Sequence, residues 1–171
     1  MNDGLIDAFN HNAWATDMVL NVCRELSDDQ LDATATGTFG SVIETLRHIV
    51  SSEASYYRRL SGDTPEWYSD QLESADVGTL AGHAADLAGR WQRFLATPFD
   101  AERTFVIPWD DDIDRDVPAG VVLVQALHHA GEHRTQVCTT LTAIGVPPLE
   151  LGVWEFAEDT DRARRRDGGA E

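Results

Sequence analysis

Four segments of this chain repeat apolar side chains at three- and four-residue steps, the spacing that lines up one face of an α-helix. The first runs from about Leu5 to Leu26 and carries Ile6, Phe9, Ala13, Met18, Leu20 and Cys23. The second, about Ser41 to Leu60, carries Ile43, Leu46, Ile49, Val50, Ala54 and Tyr57. The third, about Thr79 to Ala96, holds Leu80, Ala84, Leu87, Trp91, Phe94 and Leu95, and the fourth, about Ala119 to Ile144, is the longest and most apolar. A helix with one apolar stripe must bury it against another element. Four such stripes in 171 residues predict an all-α fold, a four-helix bundle. Neither an internal repeat nor a linker divides the sequence, and the length suits one domain over residues 1–171.

Local signals mark the boundaries. Ser27-Asp28-Asp29 reads as the turn ending the first helix, and Gly37 to Gly40 as a permissive connection. Ser41 with Glu44 three residues on is a capping box for the second helix, which Ser61-Gly62-Asp63-Thr64-Pro65 stops. The long loop from Asp63 to Gly78 carries Trp67 and Tyr68 and is expected to pack on the bundle. Phe99 to Gly120 is the least helical stretch, a long third-to-fourth crossover with room for a small hairpin around Thr104-Phe105-Val106-Ile107. Its acidic run, Asp110 to Asp114, lacks the Gly and terminal Glu of a calcium loop and reads as a solvated turn. Gly145, Pro147 and Pro148 close the fourth helix. A short C-terminal extension follows, in which Val153, Trp154 and Phe156 are expected to clip back, and Arg162 to Arg166 form a frayed, exposed end.

Charge narrows the partners. Asp and Glu total 30 against 13 cations, every one of them Arg, for a net charge of -17. The absence of Lys removes a Schiff-base or phosphate-loop lysine. Such acidity repels nucleic acid and anionic membrane surfaces, both of which are bound through cations. No run approaches the roughly 18 consecutive apolar residues of a membrane span. Met1-Asn2-Asp3-Gly4 does not begin a cationic-then-apolar leader, so the expected location is the cytoplasm. Cys23 and Cys138 form no CxxC pair and read as small buried hydrophobes.

The chemistry-bearing residues lie on the fourth helix, in His128-His129-Ala130-Gly131-Glu132-His133-Arg134-Thr135-Gln136. Side chains four apart on a helix stand one turn above each other, so His129 and His133 can present two imidazoles to one metal ion. Their stripe continues through Val122, Ala126, Gln136, Val137 and Thr140, a face suited to the bundle interior, while His128 lies about 100° around the helix. The zinc-protease HExxH pattern is excluded, because Ala130 stands where its catalytic Glu follows the first His. Two imidazoles need a further ligand. His48, flanked one turn away by Glu44, Thr45, Ser51 and Ser52, is one candidate; His11 and His83 compete with it. Arg134 can hold an anionic substrate or pair with Glu132 or a neighbouring helix. Trp14, Trp91, Trp109 and Trp154 are expected in the core or in a lid.

These residues resemble a known family. His129 to Gln136 is similar to the HxxxHRGQ signature of the DinB family, with Thr135 in place of the usual Gly. Asn10-His11-Asn12-Ala13-Trp14-Ala15 resembles its first-helix pattern, and Leu46-Arg47-His48-Ile49 its second-helix Leu-x-His-Ile. The resemblance covers nearly the whole chain. It implies a four-helix bundle holding a divalent metal on His48, His129 and His133; members are often dimers, which makes a homodimer one expected state.

Three neutral imidazoles leave a coordination position open, the pattern of catalytic rather than structural sites. Zinc or nickel is the expected metal, and the resemblance adds a low-molecular-weight thiol such as mycothiol or bacillithiol. The expected activity is thiol S-transfer or a thiol-dependent isomerisation of a small-molecule substrate. A hydrolase using metal-activated water is the second enzymatic reading, and a non-catalytic, stress-related metal-binding protein the reading from another class. Glu44 has two candidate roles, orienting His48 or capping its helix.

Overall fold

A computed structural model describes residues 3–68, 72, 74–109, 111 and 113–164. Helix α1 spans Asp3–Cys23, α2 Asp28–Leu31, α3 Val42–Ser61, α4 Val77–Leu95, α5 Ala119–Ala143 and α6 Val153–Asp159; strands β1 (Thr104–Ile107) and β2 (Arg115–Pro118) lie between α4 and α5. The four long helices are the bundle, and they form a ring: α1 packs on α4 and α5, and α3 packs on the same two. Helices consecutive in sequence therefore stand on a diagonal twice, α1 with α3 and α4 with α5. A diagonal step cannot be made by a tight turn, and both are made by long connections; the adjacent step from α3 to α4 also takes a long loop.

The first diagonal step runs through α2 and the Gly37–Gly40 loop. Helix α1 ends at Cys23, earlier than periodicity suggests. Ser27 caps α2 instead, its hydroxyl accepting from the Gln30 N–H while the Gln30 side chain accepts from Ser27. The second step is the antiparallel hairpin, registered from Thr104 opposite Pro118 to Ile107 opposite Arg115. Its β1 strand is tied to α3, where Arg59 Nη1 donates to the Val106 carbonyl at 3.2 Å. Asp111, in the acidic run, pairs with Arg115 at 2.6 Å; Asp110 and Asp112 lie outside the described residues.

Caps follow the sequence signals closely. The Ser41 N–H donates to Glu44 Oε2 at 2.8 Å, and the Ser41 hydroxyl accepts from the Glu44 N–H. Gly145 takes the left-handed conformation (φ 88°), and the following Val146 N–H returns to the Leu141 carbonyl at 2.9 Å, closing α5. The Asp63–Gly78 loop does pack: the Trp67 indole donates to Asp86 at 2.7 Å, and Arg90 joins Asp86 to Asp63. Among the described residues of the C-terminal extension only Phe156 is buried. Val153 and Trp154 are exposed, Trp154 at 81%, because α6 touches the bundle along one narrow face. Arg162, expected to be frayed, reaches Asp7 at 2.5 Å; Arg165 and Arg166 lie outside the described residues.

The core centres on Trp91, which meets Phe9 at 4.5 Å and Tyr57 at 5.3 Å between ring centroids. It is not wholly apolar. The inward stripe of α1 runs through Phe9, Asn12, Ala15, Thr16, Val19, Leu20 and Cys23. Asn12 Oδ1 accepts from Arg134 Nη1 at 2.6 Å, its Nδ2 donates to Glu53 at 3.3 Å, and Thr16 accepts from the same guanidinium at 3.0 Å. One carboxamide thus bridges the buried carboxyl of Glu53 on α3 and the buried guanidinium of Arg134 on α5. Burial pushes the Glu53 carboxyl above its ordinary range, against the opposing pull of Arg134 and Asn12. Burial also lowers the Arg134 pKa, with Glu53 acting to restore it.

Removing one partner of a buried charge pair strands the other, at about 3–5 kcal/mol. Arg134→Met should lose stability of up to that order at alkaline pH, where Glu53 is ionised, measured by urea unfolding. Ionised Glu53 then lacks its counter-charge and destabilises the fold at any pH above its own pKa. The loss should therefore shrink as the pH is lowered through that value and the carboxyl takes up a proton.

Candidate metal centre

Helix α5 presents His129 and His133 one turn apart toward α3, and His48 stands opposite them, mid-way along α3. The ring centroids of the three lie 4.4 to 4.8 Å from one another. One nitrogen from each falls within a set whose members are all within 4.8 Å, and Nε2 of His48 approaches Nε2 of His129 at 3.0 Å. Bonds of about 2.0–2.1 Å to a tetrahedral metal separate donor nitrogens by about 3.3 Å. Small ring rotations bring this set to that spacing, so the donors present fit a divalent cation.

The His133 tautomer follows from its neighbours. Oε1 of Gln136 accepts the Phe39 backbone N–H at 3.2 Å, so that atom is the carboxamide oxygen. The same oxygen lies 2.8 Å from His133 Nδ1, which must then carry the proton, leaving Nε2 with its lone pair toward the cluster.

Phe39 covers one side of the cluster. Its ring stacks on His48 at 4.2 Å and 16° and sits edge-on to His133 at 5.2 Å. Gly37, in the left-handed region at φ 86°, turns the chain that delivers it. The other side opens into a cleft of about 680 Å³, onto which His48 and His129 both face. Tyr56, Arg59, Ile107, Trp109, Val121 and Val122 are among its walls. Trp109, 51% exposed, forms part of this mouth on the hairpin side.

Other expectations resolve differently. Glu44 does not orient His48: its carboxylate is held by Ser41, and those hydrogen bonds lower its pKa. Arg134 neither lines the cleft nor pairs with Glu132. It is 6% exposed and serves the α1–α5 junction, while Glu132 faces His128 on the outer surface at 3.8 Å. His11 is bound through Nε2 to the Leu151 carbonyl at 2.8 Å and packs on Trp14 and Phe156; His83 stacks on Trp67 at 4.1 Å. Neither belongs to the cluster. Cys23 and Cys138 are free thiols, and burial pushes Cys23 up to about 12 and raises Cys138, so neither is a nucleophile near neutrality.

Phe39 and the anchoring role of Gln136 were not visible as site features in the sequence. Gln136 has a signal in retrospect, since a carboxamide three residues after an imidazole shares its helix face. An aromatic between two glycines is the corresponding signal for Phe39.

Residues 1–166 match the model of the DinB family. Protein DinB of Bacillus subtilis (strain 168) is 20% identical over 172 residues, spanning 95% of this chain and 100% of that protein. Among solved structures, YfiT from Bacillus subtilis superposes with a TM-score of 0.65 at 19% identity, over 85% of this chain and 88% of that one. YfiT is described as a probable metal-dependent hydrolase with an unusual four-helix bundle topology, and the likeness to it is one of fold. The family match runs through all four bundle helices and the three-histidine cluster, and the chain belongs to the DinB family.

Proposed function

We propose that His48, His129 and His133 hold one divalent cation, zinc or nickel, and that the protein is a metal-dependent enzyme transferring a low-molecular-weight thiol to an electrophilic carbon, or isomerising a substrate by way of such a thiol. The observation that carries this reading is the convergence of imidazole nitrogens from two helices, within 4.8 Å, on a point open to one cleft. A cation bound there would lower the pKa of a thiol or water at its remaining position toward neutrality.

The chain's own residues favour a thiol. Among the described residues lining the cleft there is no carboxylate to take a proton from water. Glu44 is engaged at the cap and Glu53 in the buried network, leaving Arg59, Tyr56, Ser55 and Gln125 as the polar lining groups besides the histidines. A thiol gives up its proton far more readily than water does and has less need of such a base. Phe39 stacks over the far side of the cluster, so thiol and substrate would both enter through the cleft of about 680 Å³. The hydrolytic alternative draws support from the description of YfiT.

Metal analysis of the purified protein should find about one equivalent of zinc or nickel, and His48→Ala or His129→Ala should lose most of it. With mycothiol or bacillithiol and 1-chloro-2,4-dinitrobenzene, the loaded protein should release chloride and form the thioether, whereas the His48 variant should not. A protein that binds no stoichiometric metal overturns the reading. A loaded protein that cleaves esters without thiol, and conjugates none, replaces it with the hydrolase.

Protonation gives an independent check. Burial, then the neighbouring His133, His48 and His128, hold the His129 pKa down at about 4, and burial lowers that of His48. Both are neutral at pH 7, as metal ligands must be. In the unfolded chain an imidazole takes up its proton near pH 6.5, so between about 6.5 and 4 the unfolded state binds the extra proton. The stability of the metal-free protein should therefore fall as the pH drops through that window. His129→Gln should flatten this slope, read from urea midpoints at successive pH values.

A further inference from the structure

The structure assigns Arg59 as a specificity-determining residue, the anchor for an anionic group, in particular a carboxylate, on a substrate whose reacting end lies at the histidine cluster. This inference rests on the cleft being the active site proposed above. It adds the chemical class of what enters.

The cleft has two chemically distinct ends. His48 lies at one, and Arg59 stands eleven residues further along α3 on nearly the same helix face. At 1.5 Å per residue that is three turns, about 16 Å between backbones. Helix α5 runs antiparallel alongside, so Gln125, Val122 and Val121 follow His129 down the same groove. Between the two ends the lining is mostly apolar: Tyr56, Ile107, Trp109, Val121 and Val122. A bound molecule is thus offered a metal-capable end, an apolar middle wide enough for an aromatic or alkyl body, and a cation.

Arg59 is the only cation among the described lining residues, in a chain of net charge -17. Its visible structural duty is small, one N–H from Nη1 to the Val106 carbonyl at 3.2 Å. Guanidinium carries five N–H donors, and no carboxylate among the described residues pairs with this one. Arg90, Arg115 and Arg162 by contrast are all paired with aspartates. Elsewhere the acidic surface repels an anion; at this half-buried position a carboxylate gains a charge-assisted and potentially bidentate contact. The Arg side chain leans toward the helix N-terminus, hence toward the cluster, and shortens the span to be bridged.

The test compares 6-phenylhexanoate with its neutral amide, 6-phenylhexanamide, by calorimetry or ligand-observed NMR. Both metal-free and zinc-loaded protein are used. Wild type should prefer the carboxylate by about tenfold or more in both forms. Arg59→Gln should reduce the preference to within twofold at unchanged helicity and metal content, and Arg59→Lys should retain part of it. Equal affinity of wild type for the two probes overturns the assignment. So does a preference that survives in Arg59→Gln, or one found only with zinc present, since the carboxylate is then bound by the metal. Failure of the metal reading shows separately, as absence of bound zinc with the Arg59-dependent preference intact in the metal-free protein.

Discussion

The register between α3 and α5 decides whether this fold has a site at all. A rotation of either helix by one residue turns its histidines about 100° away, and a slip of one turn moves them 5.4 Å. That slip exceeds the 4.8 Å within which the donor nitrogens now lie. Apolar packing is forgiving of such shifts when one aliphatic residue replaces another. The buried polar network is not. Arg134 follows His133 directly, and Glu53 lies five residues beyond His48. Asn12 joins the two across the core, so any slip would strand two charges without partners. The residues that set the register are thus neighbours, in sequence, of the residues that use it.

Around the cluster the chain separates a closed side from an open one. The loop between α2 and α3 closes one side with Phe39, and Gln136 ties that loop to the imidazole whose tautomer it sets. One oxygen serves both contacts, so the placement of the cover and the direction of the His133 lone pair are linked. The β1–β2 hairpin bounds the open side, and Arg59 ties it to α3. Both bounding segments belong to the diagonal connections of the bundle.

Much of this was legible from periodicity and local chemistry. The i, i+4 histidines, the Ser41–Glu44 box, the Gly145 stop and the hairpin in the crossover are encoded within a few residues of chain, and each was readable for that reason. The resemblance to a family then selected His48, where helical spacing alone left His11 and His83 as rivals. What escaped reading depends on partners far away in sequence. Asn12 and Thr16 look like flaws in the apolar stripe of α1 until Arg134 and Glu53 are seen against them. Arg134 itself, adjacent to a ligand candidate, invited a role in substrate binding. Periodicity reports which face a residue occupies, not what stands opposite. Val153 and Trp154 show the converse, since apolar residues on a seven-residue helix need not all find a surface to cover.

The proximity of Arg134 to Glu53, bridged by Asn12, also bears on the electrostatics of the cluster. A lone guanidinium buried one residue from His133 would repel any divalent cation held there, and burial weakens the screening that water would provide. A lone carboxylate in the same place would attract the cation but also any proton, favouring charged imidazoles over metal. Held together, the two present a nearly neutral background. The cluster's preference is then set by its own desolvation, which disfavours imidazolium and leaves His129 unprotonated down to about pH 4. A divalent cation held by these neutral donors in a neutral setting would keep its charge uncompensated, and that charge would act on whatever occupied its open position.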